Sequence, residues 1–122
     1  MTKDKVVHAF FSSFMDSYPA TAVPDDVIFP YLTYEYTAGA FDDGENGLTV
    51  NFWFYTDSEA VPNAKAQELS DKLGVGGKVF PCDGGYVWLK RGSPWCQSLR
   101  DEANANVKRR YINVTVEYLT AT

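Results

Sequence analysis

Nine residues, Leu48 to Thr56 (LTVNFWFYT), limit what this chain can fold into more than any other stretch. Side chains of a strand alternate between its faces. Leu48, Val50, Phe52 and Phe54 therefore share one face, and Thr49, Asn51, Trp53 and Tyr55 share the other. A sheet with one buried face alternates apolar with polar residues. Here the second face ends in Trp53 and Tyr55, large rings with a polar tip. That face calls for a cover, supplied by the rest of the chain or by a partner.

Ahead of this strand, Lys3 to Ser17 reads as an amphipathic helix, because Val6, Val7, Phe10, Phe11, Phe14, Met15 and Tyr18 recur at three- and four-residue steps. Thr2 is placed to cap it, and Asp4 sits in the first turn, where the helix dipole favours negative charge. His8, the single histidine, falls on the polar side with no evident Cys, Ser or carboxylate partner and reads as a solvated residue. Pro19, Pro24 and Pro30 rule out a helix interior and a central strand between Tyr18 and Pro30. That segment reads as an extended connection with Val23, Val27, Ile28 and Phe29 tucked under the sheet edge. Leu32, Tyr34 and Tyr36 then alternate with Thr33, Glu35 and Thr37 as a half-buried strand. Phe41 to Gly47 (FDDGENG) is an acidic connection of hairpin type. Its Asp42, Asp43, Glu45 and Asn46 lack the residue order of an EF-hand loop, so a charged tip is expected and not a metal site.

Beyond Thr56 a second helix is expected, capped by Asp57, Ser58 or Asn63 and stopped at Gly74. Ala60 or Val61, Ala66, Leu69 and Leu73 form its narrow apolar stripe, and Glu68 and Lys72 are placed as an (i, i+4) pair. Lys78 to Cys82 and Tyr86 to Arg91 read as a hairpin about Asp83-Gly84-Gly85, with Pro81 marking an edge or a bulge. Val87 and Leu89 oppose Tyr86 and Trp88, repeating the contrast of an aliphatic face with an aromatic one. Gly92 to Asn106, containing Trp95, lacks periodicity and reads as a long functional loop. In the closing strand Ile112, Val114, Val116 and Tyr118 face inward, and Arg109, Tyr111, Asn113, Thr115 and Glu117 face outward. Lys108, Arg109 and Arg110 read as a solvated strand start. Asn113-Val114-Thr115 fits a glycosylation pattern, but it lies in mid-strand.

The expected architecture is a single α+β domain over residues 1–122: a small, mostly antiparallel sheet of four to five strands flanked by two helices. No window supplies the roughly 20 apolar residues of a membrane span. The N-terminus carries Asp4 and lacks a small-residue cleavage site, which reads as cytoplasmic. Cys82 and Cys96 have neither C-x-x-C spacing nor neighbouring histidines and are expected as reduced thiols. A net charge of −5 argues against phosphate binding through a basic surface. No nucleophile–base pair, metal-ligand spacing or cofactor motif emerges, so no enzyme, catalytic residue, metal or cofactor is expected. Trp53, Tyr55, Tyr86 and Trp88 are left as candidate interface residues, being of types enriched at interface hot spots.

Three pieces carry a family resemblance: the opening helix with FFSSF followed by VP and PYLTYEY; the FWFYTDSEA junction; and the closing GSPWCQSLRDEANANVKRRYINVTVEYLT. In this order of elements the chain resembles the tail-terminator or tail-completion proteins of long-tailed, non-contractile bacteriophages. The resemblance implies a ring of six subunits that caps the tail tube and docks the tail on the head–tail connector protein. Its partners would be other copies, the tail tube protein and the connector, with DNA only as passing cargo and no membrane. It would reside in the virion tail, and in the bacterial host cytoplasm during assembly. On that reading Asp42, Asp43 and Glu45, and the loop holding Trp95, contact neighbouring subunits, the tube or the channel. Two rivals stand beside it. One is a head-completion or stopper protein of the same junction. The other is a small α+β ligand-binding domain in which Trp53, Tyr55, Trp88 and Trp95 line a pocket.

Overall fold

The computed structural model describes residues 2–37, 45–100 and 104–120. Helix α1 covers Lys3–Phe14, with the Thr2 hydroxyl accepting from the Lys5 amide at 3.4 Å and Asp4 in the first turn. It stops before Ser17 because the backbone is already extended at Met15, and Ser17–Pro19 then forms a short strand, β1. Strands β2 (Tyr31–Thr37) and β3 (Glu45–Tyr55) follow, then helix α2 (Ala60–Leu73) and strands β4 (Lys78–Cys82), β5 (Gly85–Arg100) and β6 (Val107–Thr120).

The strands lie in the order β1-β2-β3-β6-β5-β4. β1 runs parallel to β2, and every other pairing is antiparallel. The expectation of a mostly antiparallel sheet of four to five strands flanked by two helices is thus corrected to a mixed, curled sheet of six strands, a half-barrel. Two local causes account for the difference. Prolines bar a central strand but not an edge one, and Ser17–Pro19 takes up the edge. The stretch from Gly92, expected as a loop, continues β5 through an irregularity. Arg91 pairs with Val114 and Cys96 with Ile112, so five steps along β5 meet two along β6. Such an insertion bends a strand and increases its twist, and it erases the period-2 signal in the sequence.

One face of the sheet holds the core. Leu32, Leu48, Val50, Phe52, Val87, Leu89, Ile112, Val114 and Val116 are buried together with Val7 and Phe11 of α1 and Leu69 and Leu73 of α2. Both helices therefore lie on this inner face, side by side. Lys65 and Lys72 of α2 rest over the Phe14 ring, and the Lys72 ammonium donates to the Ser13 hydroxyl at 3.1 Å. Glu68 pairs with Lys65 at 3.4 Å, not with Lys72 as its spacing suggests. At Gly74, where α2 ends, φ is +75°, which glycine accommodates without a Cβ penalty.

The basic run at the start of β6 is not a solvated strand start. Alternation sends Arg109 outward and Lys108 and Arg110 into the core side, where they are 8% and 1% exposed. Nη2 of Arg110 meets the Glu59 carboxylate at 2.6 Å, and its Nε donates to the Asn63 amide oxygen at 2.9 Å. Lys108 lies 3.8 Å from the other Glu59 oxygen. Glu59 and Asn63 are thus spent on this cluster. Glu59 occupies the N-cap position of α2 without a side-chain capping bond, and Asp57, Ser58 and Asn63 leave the capping role expected of them unfilled.

Replacing Glu59 by Ala should leave the Arg110 guanidinium buried without its carboxylate and lower stability by about 2 kcal/mol in urea unfolding. Adding Arg110→Met to that variant should restore part of the loss. A Glu59→Ala protein as stable as the parent would show that the carboxylate does not support the buried charge.

Candidate functional site

Among the described residues the outer face of the sheet carries no helix, and its side chains follow directly from strand register. Tyr31 of β2 is paired with Trp53 of β3, which is paired with Arg109 of β6. The Tyr31 and Trp53 rings stack with centroids 6.2 Å apart and planes at 15°. The Arg109 guanidinium lies 5.0 Å from the Trp53 ring centre, held by a 2.8 Å bond from its Nε to the Asn51 side chain. The Trp53 indole N–H donates to Thr33 at 3.1 Å. Phe29 bridges Tyr31 and Tyr55, at 5.4 and 5.9 Å, while Tyr18 meets Tyr31 edge-on. Tyr55 is 57% exposed, and beside this cluster Ile28 points into solvent instead of tucking under the sheet edge as expected.

A second cluster occupies the opposite end of the same face. Trp88 is paired with Val79 of β4 on one side and Glu117 of β6 on the other, and Tyr86 is paired with Pro81 and Leu119. The Lys90 ammonium lies 4.4 Å from the Trp88 ring centre and bonds Glu117 at 3.1 Å. The Trp88 indole N–H donates to the Gly76 carbonyl at 2.8 Å. Tight packing here leaves no space at Gly77, where φ is +79° and a Cβ would run into the Leu89 carbonyl oxygen. Val79, Tyr86 and Leu119 are all exposed.

The proposed interface rings therefore form two patches, not one. Trp53 and Trp88 lie opposite Arg109 and Glu117 of β6, and that length of strand spans about 27 Å. Between the patches lies a polar band of Asn51, Thr49, Tyr111, Asn113 and Thr115. Trp95 belongs to neither patch, because it packs against the core cluster at the irregularity in β5. Asn113 donates to the Pro94 carbonyl at 2.7 Å, so its amide is engaged within the sheet. Asp42 and Asp43 lie outside the described residues, as does the Glu45 side chain. Tyr31, Phe29 and Arg109 were missed as members of the first patch. Extending the period-2 alternation of β2 back by one residue finds Tyr31.

The shared pocket expected of a ligand-binding domain is not formed by these rings. A groove of 710 Å³ lies instead on the opposite, helix-bearing face, between α1, α2 and β4, and is lined by none of Trp53, Tyr55, Trp88 and Trp95.

His8 is less isolated than its sequence context suggests. Its Nδ1 lies 2.9 Å from the Tyr34 hydroxyl and its Nε2 lies 3.1 Å from the Ser12 hydroxyl. Ser12 and His8 have the reach of a nucleophile and a base. Both project from α1, beyond its first turn, where the backbone N–H groups are committed to the helix. Among the described residues no group of three or more His, Cys, Asp or Glu side chains comes together to hold a metal, and no helix is long and apolar enough to cross a membrane. Cys82 and Cys96 are both free thiols. Burial pushes the Cys96 thiol up, with the Arg110 guanidinium pulling the other way. A comparison with protein-family models and with curated proteins finds no match for the chain.

Tyr36 and Tyr118 carry the clearest titration signature. Burial pushes the Tyr36 hydroxyl far above its ordinary 10.0, and the nearby Tyr118 and Asp4 add to the shift. Burial also raises Tyr118, with Asp4 adding and a hydrogen bond with Tyr36 opposing. Both groups hold their protons more tightly folded than unfolded. Their contribution to stability is therefore full below the unfolded value of 10.0 and is lost as the pH rises past it. Melting temperature should fall above about pH 10, and Tyr36→Phe should flatten that fall. An unchanged slope in Tyr36→Phe would remove Tyr36 as its source.

Proposed function

We propose that this protein is a structural subunit that assembles with copies of itself into a ring at the head–tail junction of a long-tailed, non-contractile phage. In this reading it caps the tail tube, meets the connector and resides in the virion tail, and DNA only passes through. Its work is binding, without catalysis. The observation that carries the reading is the open outer face of the sheet, with an exposed aromatic or apolar patch at each end. Two separated patches on one face suit a subunit that meets two neighbours, because contacts between unlike surfaces close into a ring when the rotation permits. The polar band between them matches the interface pattern of apolar anchors within a polar surround. The net charge of −5 agrees with a channel that repels DNA and lets it slide.

Light scattering across a concentration series tests the reading. The expected species is about 82 kDa, six times the 13.7 kDa chain. Tyr55 and Tyr86 are 57% and 52% exposed, so Tyr55→Glu and Tyr86→Glu should change folding stability by only about 0.5 kcal/mol while dispersing the assembly. A chain that stays monomeric at every concentration, alone and with tail tube protein, would overturn the ring. Loss of folding in both variants would place these rings in the monomer's own stability.

A further inference from the structure

We propose that the loop of residues 24–29 in one copy of this chain docks in the groove between α1, α2 and β4 of the next copy. The proposal rests on the reading of the protein as a self-assembling ring subunit and assigns one of its contacts. Lys78 and Phe80 are paired with Leu89 and Val87, both core residues, so their side chains share the helix-bearing face. There Phe80 joins Val6, Ala9 and Phe10 in an apolar floor, and Lys72 and Lys78 stand on the rim. Asp71, on the same rim, accepts from the Gln67 amide at 2.8 Å. The Lys72 ammonium donates to the Ser13 hydroxyl at 3.1 Å. Among the described residues neither lysine is paired with a carboxylate.

The loop carries the complementary chemistry. Asp25 and Asp26 are exposed, and among the described residues neither is paired with a cation. Close behind them Ile28 is 77% exposed. The loop holds its shape without a partner: the Val27 N–H donates to the Pro24 carbonyl at 3.3 Å, and Phe29 rests between Tyr31 and Tyr55. An aliphatic side chain beside two carboxylates thus matches an apolar floor beside two ammoniums. The two surfaces lie at opposite edges of the sheet. The loop joins β1 to β2, whereas the groove abuts β4, five strand spacings or about 24 Å away. A loop pinned at one edge does not fill a groove at the other, so a second copy brings it. Loop and groove are also different surfaces, so the contact is head-to-tail and repeats around a ring.

Sedimentation of the full chain tests the contact by charge exchange. Asp25→Lys/Asp26→Lys and Lys72→Glu/Lys78→Glu should each weaken self-association about tenfold, because each sets like charges against one another. Mixing the two weakened proteins should restore association, since the loop of each then meets the groove of the other with opposite charge. No contact within a single chain gives that result. Ile28→Asp should weaken association comparably, and Ile28→Leu should not. Lys72 also covers the Phe10 ring, so each variant is checked by urea unfolding. If Lys72→Glu disturbs folding, Lys78→Glu mixed with Asp25→Lys carries the same exchange at exposed positions. Self-association that the charge reversals or Ile28→Asp leave unchanged, or that mixing does not restore, overturns the contact. If the parent chain still self-associates in that case, the ring reading stands and only this contact falls. A parent chain that stays monomeric at every concentration, alone and with tail tube protein, overturns the contact and the ring together.

Discussion

Everything in this fold depends on the register of β6 between β3 and β5. Ile112, Val114 and Val116 face the helices with essentially no exposure, while Arg109, Tyr111 and Glu117 face the other way. A slip of one residue would exchange the two sets, because the side-chain period of a strand is two. The Arg110 cluster opposes such a slip. Its guanidinium reaches the first turn of α2 through Glu59 and Asn63, tying the strand to a helix at one fixed position. Burying a charge is rarely a net gain in stability. We read its use here as a lock on register, since an apolar residue at position 110 would tolerate sliding that a hydrogen-bonded guanidinium does not.

The same register creates the outer face. Because Arg109 is directed outward by the alternation that buries Arg110, it lies over Trp53 and holds that ring against Tyr31. Trp88 is fixed in a comparable way by Lys90 above its ring and the Gly76 carbonyl at its N–H. Rings held this way have little conformational freedom left to lose.

Much of this was legible in the sequence wherever an element keeps its period. The helical stripe of Val6, Val7, Phe10 and Phe11 and the alternation from Leu48 to Tyr55 place both elements and their buried faces. Legibility failed where tertiary pairing overrides local signals. β1 has three residues, one of them proline, and it exists only because β2 offers an edge. The irregularity between Arg91 and Cys96 breaks the alternation that identifies strands, so half of β5 looked like a loop. Lys108 and Arg110 looked solvated because their carboxylate partner is distant in sequence. The two-patch layout of Trp53 and Trp88 could not be read either, because it depends on which strands are neighbours, and the insertion of β6 between β3 and β5 is a property of the whole topology.

The two ends of the strand order have a consequence of their own. β1 and β4 are the edges, and each carries a proline, Pro19 and Pro81. An open edge is a template on which identical sheets can zip together without limit. A proline there removes a donor and interrupts the ladder. Copies of this chain crowded together are thereby discouraged from growing into a continuous cross-β ribbon. A chain shaped this way can be abundant without its own sheet seeding a fibre.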